Sequence, residues 1–354
     1  MDVAKILQNW YLQNKRDLPW RNTSSPYYIW LSEIIMQQTR VNQGLQYYLN
    51  FVERYPTIED LAGAQLDDVL KTWQGLGYYT RARNLHATAN AVVHDHGGNF
   101  PGTCKELLSL KGIGAYTAAA IASIAFKEPV ALVDGNVYRV LARVFGIDVS
   151  IDSNEGRKVF SQQANRILDR RHPDIHNQAV MELGALVCVP RNPHCQDCPL
   201  SAVCVAFNTG RVDELPVRTA KNRPKERYFN YFFMINDAGF YMKKRIDKDI
   251  WNSLYEFPLI ETANPVTFLE LASSKEGCEI FGSYSVPRNI IPKTFRHQLN
   301  HQTIFCNFYF IRVPDGYPPK DKNFVCVAAG NLKMYAVPRL IDKYLASLKQ
   351  EGLI

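Results

Sequence analysis

A two-domain chain, all-α first and a smaller mixed α/β part second, is the fold class the sequence predicts. Three observations carry it. As far as about residue 210, apolar residues recur at spacings of three and four. A basic, proline-containing stretch follows. Beyond it the apolar period changes to two, in segments rich in aromatic and β-branched residues. The length of 354 residues is more than twice that of a typical domain. With 46% hydrophobic and 21% charged residues, the chain can bury full cores without disulfide staples.

The elements follow in order. MDVAKILQNWYLQNKRDLPW has helical periodicity with charges throughout, which excludes a secretory signal peptide. SSPYYIWLSEIIMQQT offers a serine, Pro26 at the first helical position, and an apolar face. TIEDLAGAQLDDVLKTW and DSNEGRKVFSQQANRILDRR are helical segments with cap-like openings. TCKELLSL and AYTAAAIASIAF read as two helices joined by KGIG, a hairpin over about residues 103–126. Residues 211–227 read as an exposed linker, since PVRTAKNRPKER carries five basic residues, two prolines and one acid. RYFNYFFMIN, GFYMKKRI and HQTIFCNFYFIRV read as strands, with NDAG a hairpin turn between the first two. NPVTFLELASS and VPRLIDKYLASLKQ read as helices. The expected domains are 1–210 and 228–354. No apolar run is long enough to span a membrane, and no solenoid repeat is visible.

Lys and Arg outnumber Asp and Glu by 41 to 34, a net charge of +7 that is compatible with a polyanionic partner without requiring one. A chain of this kind is expected in a reducing cytoplasm or nucleus, where its eight cysteines would not form disulfides. Cys188, Cys195, Cys198 and Cys204 crowd into 17 residues as C-x₆-C-x₂-C-x₅-C. Four thiolates so spaced bind zinc or an iron–sulfur cluster, and spacing alone does not choose between them.

In KGIG, Gly112 and Gly114 can take positive φ and let a backbone approach closely. The unbonded N–H groups at the start of the following helix favour an anion there. A ligand-free helix–helix turn has the same short signature. Glu33 lies in an otherwise apolar helix, where an acid is ordinarily turned to solvent or paired. Asp134 precedes GNVYRV, where an N-cap belongs.

LLSLKGIGAYTAAAI resembles the helix-hairpin-helix motif of DNA repair proteins, which holds phosphates without reading sequence. The cysteine spacing after it resembles the [4Fe–4S] loop of the endonuclease III superfamily. With LPWR, WLSEIIMQQTRV, GLGYYTRARNLH, VDGNVYRVLAR and MELGALVC, these segments resemble the MutY family of adenine DNA glycosylases over the whole helical domain. The resemblance implies a helix-hairpin-helix glycosylase domain with a [4Fe–4S] cluster on the four cysteines. It implies a monomer that flips adenine out of double-stranded DNA opposite 8-oxoguanine or guanine, in the cytoplasm and on the nucleoid. Glycosidic cleavage uses two carboxyl groups. By the resemblance Glu33, its pKa raised by apolar surroundings, is the general acid, and Asp134, ionised at a helix start, is the anion beside the sugar cation. Asn136 positions the water or the acid. Gln178 reads the adenine edge, Trp20 and Arg21 wall the pocket, and Gln38 and Tyr78 fill the emptied stack. Arg191, in the cysteine loop, is a phosphate contact.

Bifunctional members of the superfamily carry an imine-forming lysine after G-x-G-x, and here that position is Tyr116. A phenol cannot form a Schiff base, so the expected enzyme leaves an abasic site uncut, with the phenol set against the sugar cation or an Asp134 adduct. Residues 228–354 resemble the Nudix-like lesion-recognition domain of the family, without a Nudix box. Phe295 and His297 of TFRHQLNH fit the family's Phe-Ser-His loop, and Arg296 stands where serine is usual. Two other readings stay open: a bifunctional glycosylase/lyase for oxidised pyrimidines, against which Tyr116 argues, and a non-catalytic Fe–S DNA-binding module, against which Glu33 and Asp134 argue.

Overall fold

The structure, a computed structural model, describes residues 2–219, 224–282, 284–287, 290–315, 317, 321 and 323–354. Of the exposed linker expected at 211–227, residues 220–223 lie outside the described residues; the expectation fails for Leu215, which is buried and accepts from Arg143, and for Lys225–Arg227, which open the first strand with Arg227 buried. The chain forms two compact units: Met1–Gly63 with Asn84–Ala220, and Ala64–Arg83 with Lys221–Ile354.

The first unit is helical. Its elements are α1 (Val3–Asn14), α2 (Pro26–Met36), α3 (Val41–Arg54) and α4 (Ile58–Gly63). After α5 (Leu66–Thr72), which belongs to the second unit, come α6 (Thr80–His96), α7 (Cys104–Leu107), α8 (Ala115–Ala125), α9 (Gly135–Phe145), α10 (Asn154–Ile167), α11 (Pro173–Leu186) and α12 (Val205–Asn208). Ser25 is extended and Pro26 opens α2, because proline's missing N–H is an unbonded one at that position. α2 buries Tyr27, Ile29, Trp30, Leu31, Ile34 and Ile35, so it is a core helix rather than an amphipathic one. α8 buries Thr117 to Ile124, and its alanines let α2 come close. α9 starts at Asp134, whose carboxylate accepts from Val137 N, and ends at Gly146 in the left-handed region (φ +64°). Its buried Val137, Val140, Leu141 and Val144 each contribute roughly 1.5–3 kcal/mol.

TIEDLAGAQLDDVLKTW is not one helix. Gly63 ends α4, and Gln65 is extended (φ −70°, ψ 138°) before α5 begins. The second half of this stretch joins the other unit, whereas the sequence assigned it to 1–210. Polar contacts explain why. Asp67 pairs with Lys244 and accepts from Tyr255, and Lys71 donates to Tyr335 O (3.0 Å); the first turn of α6, up to Arg83, belongs to this unit too, and Arg83 donates to Asn252 O (2.6 Å).

The second unit is built on a seven-stranded sheet in which β3-β2-β1-β6-β5 lie side by side, with β4 pairing β1 and β7 pairing β2. The strands are β1 (Lys225–Asn236), β2 (Gly239–Lys244), β3 (Tyr255–Glu256), β4 (Leu259–Thr262), β5 (Lys293–Gln298), β6 (Gln302–Arg312) and β7 (Val325–Val327). β1 and β6 run parallel and buried, so they read as near-continuous apolar runs. The NDAG turn forms as expected: Asn236 Oδ1 accepts from Ala238 N and Gly239 N, both 3.1 Å. Successive residues feed two cores. Phe229, Tyr231 and Phe233 pack with Tyr344 and Leu345 of α15 (Arg339–Gln350). Phe232 and Met234 pack with Phe268 and Phe281 of α13 (Phe268–Ser273) and α14 (Lys275–Phe281). One expectation is corrected: Phe295, Arg296 and His297 lie in edge strand β5, in register with Cys306, Phe305 and Ile304 of β6, and not in a loop. Alternation settles their directions. Phe295 packs against the first core, whereas Arg296 is exposed on the other face with its guanidinium 5.7 Å from the Phe305 ring.

Candidate active site

A cavity of about 700 Å³ in the helical unit is lined by Trp20, Arg21, Glu33, Tyr116, Asp134, Asn136 and Gln178, among other residues. Seven residues chosen along 159 positions of sequence thus share one space. α2 delivers Glu33, the first turn of α8 delivers Tyr116, and the cap of α9 delivers Asp134.

Tyr116 donates its hydroxyl to Glu33 Oε2 (2.5 Å) and also lies 3.4 Å from Met181 Sδ. Burial raises the Glu33 pKa to about 7, against the opposing hydrogen bond from Tyr116, with the Asp134 charge adding to the rise and Arg21 working against it. The Tyr116 phenol is pushed well above its usual range by burial and by the same two carboxylates. Asp134 is a structural cap and a cavity residue at once. Oδ1 accepts from Val137 N (2.7 Å), and Oδ2 accepts from Asn136 Nδ2 (2.8 Å). Burial raises its pKa, while these donors and Arg139 hold it back. Asn136 Oδ1 in turn accepts from Arg139 Nη2 (2.8 Å). The close approach of α9 and α11 behind this site needs Gly184, where a Cβ would sit 2.6 Å from Asn136 Cβ.

Trp20 lies in a short 3₁₀ turn, Pro19–Arg21, half-buried with its ring edge on Tyr48 (centroids 5.0 Å). Arg21 lines the cavity, but its guanidinium is engaged by Glu182 through two bonds of 2.8 and 2.6 Å. Gln178 accepts from Tyr11 Oη (3.1 Å) and donates to Asp174 O (3.2 Å). An amide has two donors and two lone pairs, so capacity for a ligand remains.

The sequence reading missed Glu182, Arg16 and Tyr11. A signal existed for Glu182: residues 178, 181, 182 and 185 form one helical face, and all four line the cavity. Of the two hairpin glycines, Gly112 takes positive φ (+80°), whereas Gly114 is extended (φ −90°, ψ 176°). Gly114 is the cap of α8, and caps sit in the β region. A Cβ there would meet nothing within 4 Å, so the turn's outer side is open. Gln38 and Tyr78 each adopt positive φ, 54° and 50°, uncommon for residues with a Cβ. Tyr78 is also 47% exposed.

Cys188, Cys195, Cys198 and Cys204 line one largely apolar cavity and are unpaired with one another. Two buried arginines of α9 fasten the loop that carries them. Arg139 donates to Cys188 O (2.6 Å), and Arg143 donates to Val189 O (2.9 Å) and approaches Cys188 Sγ (3.4 Å). Among the described residues, no three His, Cys, Asp or Glu side chains converge on a single metal-ion position. Arg191 is exposed in this loop. No described helix is long and apolar enough to cross a membrane.

Residues 31–165 match the family model of the HhH-GPD superfamily base excision DNA repair proteins, and residues 230–347 match that of the NUDIX domain. The chain is 33% identical over 308 residues to an adenine DNA glycosylase of Buchnera aphidicola subsp. Baizongia pistaciae, covering 86% of this chain and 84% of that one. A second Buchnera aphidicola enzyme of that name, from subsp. Acyrthosiphon pisum, is 29% identical over 98% of this chain and 97% of its own. The Homo sapiens adenine DNA glycosylase is 43% identical over 220 residues, which cover 58% of this chain and 40% of that one. Among solved structures, a thermostable thymine-DNA glycosylase superposes with a TM-score of 0.54 at 29% identity, over 58% of this chain and 95% of that one. An endonuclease III in a non-covalent complex with DNA shares the fold, with a TM-score of 0.51 at 21% identity over 58% of this chain and 94% of its own. The chain belongs to the adenine DNA glycosylases, DNA-binding hydrolases of base excision repair that cut the N-glycosidic bond of adenine.

Proposed function

We propose that this enzyme removes adenine opposite 8-oxoguanine or guanine by monofunctional hydrolysis and leaves an abasic site. The observation that carries the reading is the shared cavity of Glu33, Tyr116 and Asp134. Its volume lies within the range of sites that enclose a small ligand. An extruded adenine enters, and Glu33, protonated near neutral pH, gives its proton to the imidazole ring. Because Tyr116 donates to Oε2, the acid's own proton is left to Oε1. The bond from C1′ to nitrogen then breaks, and its electron pair leaves with adenine. The Asp134 carboxylate faces the sugar cation, and water adds at C1′ while its proton passes to a carboxylate. Asn136 orients Asp134. No amine stands at position 116, so no imine forms and the strand is not cut.

Gln178 reads the adenine edge, Trp20 walls the pocket, and Gln38 and Tyr78 enter the emptied stack. Strained backbone at both of the last two supports that role. Gly112, Gly114 and the start of α8 hold a phosphate, as does Arg191. The four cysteines fit a [4Fe–4S] cluster. All four cysteines line one apolar cavity, and a cluster held by them would stiffen the loop that α9 grips. Catalysis belongs to the helical unit and lesion reading to the second unit, where β5 carries Phe295 and His297 on one face and Arg296, a phosphate contact, on the other. The enzyme acts as a monomer on DNA in a reducing, nucleoid-containing compartment.

The test uses labelled duplexes holding A opposite 8-oxoguanine or guanine. Strand breaks should appear only after alkali, faster for the 8-oxoguanine duplex, and borohydride should trap no covalent complex. Breaks without alkali, efficient trapping, or equal rates on both duplexes would each overturn part of the reading.

A further inference from the structure

In the second unit, the loop over residues 246–253 is bent where its residue types resist bending. Trp251 (φ +60°) and Ser253 (φ +67°) both adopt positive φ, although each carries a Cβ and Trp251 is bulky. The loop is pinched at its neck, where Ser253 N donates to Arg245 O (2.7 Å) and Arg245 N donates to Leu254 O (2.8 Å). Asn252 Nδ2 ties it across to Ile246 O (3.0 Å) and Asp247 O (2.8 Å). Two guanidiniums anchor its Asp249, Arg227 at 3.0 and 2.6 Å and Arg245 at 2.8 Å. Burial alone would raise the Asp249 pKa. The bonds from Arg227, the Ile250 N–H and Arg245 outweigh it and bring it down to about 2, so the anchor stays charged at any working pH.

This loop presents an indole to the edge of the sheet. The half-buried Trp251 ring meets Phe229 of β1 edge to face (5.8 Å, 85°) and meets the His297 ring of β5 (5.9 Å). We propose that Trp251 is a positioning residue for lesion recognition: the strained loop sets its indole against His297 and fixes how that imidazole is turned. The proposal rests on the reading that the second unit recognises the lesion through β5. Two observations separate Trp251 from a plain cap on the core. The first is strain. An apolar side chain on a relaxed turn would cover Phe229 as well, whereas unfavourable backbone at two of three consecutive residues is kept where a side chain must be aimed. The second is what the indole meets. Burial and the Lys343 charge both push the His297 pKa below its usual value, so the ring is neutral at working pH. A neutral imidazole has one donating and one accepting nitrogen. 8-Oxoguanine differs from guanine by one carbonyl oxygen and one N–H, so the nitrogen that meets this difference is decided by the ring's orientation.

The test is the ratio of affinities for duplexes holding A opposite 8-oxoguanine and A opposite guanine. It is measured on the full chain for Trp251→Leu, His297→Ala and the double variant, with thermal melting of each. Trp251→Leu should lower the ratio by roughly threefold to tenfold, the worth of one aromatic contact. The double variant should lose no more than His297→Ala alone, because both changes act through one ring. A folded Trp251→Leu with an unchanged ratio overturns the proposal. So does a loss shared equally by both duplexes, the mark of a merely structural tryptophan, and so do losses that add in the double variant. If Trp251→Leu does not fold, Trp251→Phe decides. Its shorter ring keeps Phe229 and gives up His297, so the ratio should still fall, and an unchanged ratio there overturns the proposal. His297→Ala separates the two layers. A full preference retained in His297→Ala sinks the reading of β5 as the strand that meets the lesion. A preference lost there and kept in the folded Trp251 variants sinks only the role of Trp251.

Discussion

At the residue scale, the site trades stability for a proton held near neutrality. Glu33 has an ordinary value of 4.5 and a folded value of about 7. Below about pH 4.5 it is protonated in both states and carries no penalty. Between the two values the unfolded chain sheds the proton first, and above pH 7 the folded state bears the whole cost of a buried charge. Glu33→Gln should therefore be more stable than the parent at pH 8, by on the order of 2–3 kcal/mol, and no more stable at pH 4. Denaturant unfolding at both pH values checks this, and equal stability at pH 8 would contradict it. Glu33 and Asp134 were legible because each stands out locally, one as a lone acid in an apolar helix and one as a cap. Glu182 was not, because its partners lie 161 and 166 residues away in sequence. Pairing over such distances is decided by packing that no local pattern encodes.

At the element scale, α9 carries the argument, since one helix starts at Asp134 and grips the cysteine loop through Arg139 and Arg143. Its fit against α11 is set by Gly184. Gly184→Ala should cost about 1–3 kcal/mol of stability. It should also slow excision more than it weakens duplex binding, because the strain falls on Asn136 beside Asp134. Melting temperatures, excision rates and affinities of the variant decide, and unchanged excision would contradict this use of the glycine. The cysteine loop should yield a brown protein with roughly four irons per chain. Metal analysis after anaerobic purification checks it, and zinc without iron would rule it out. Helices with caps and strands rich in aromatic and β-branched residues were readable from local chemistry, although the expected period of two does not hold in β1 and β6, which are buried nearly throughout. The break at Gly63 and the strand over 293–298 were not. The first depends on α5 joining another unit, and the second on pairing with β6.

At the scale of the whole molecule, two units share one chain, and each has its own task to test. In the second unit Arg296 is exposed over Phe305, on the face opposite Phe295. A guanidinium so placed can only donate, and near DNA such groups most often bind phosphate. Arg296→Ala should weaken binding to A·8-oxoguanine and A·guanine duplexes about equally and flatten the salt dependence by roughly one ion. Affinities for both duplexes at several salt concentrations test this, and a selective loss for the lesion duplex with an unchanged slope would make Arg296 a direct reader instead. The central claim concerns the first unit: two carboxylates in one cavity perform the cleavage and contribute little to holding DNA. The most direct measurement is single-turnover adenine release, alongside duplex affinity, for Glu33→Gln and Asp134→Asn. The account predicts that both variants bind the duplex nearly as the parent does and release no adenine. Release at close to the parental rate by either variant would contradict it.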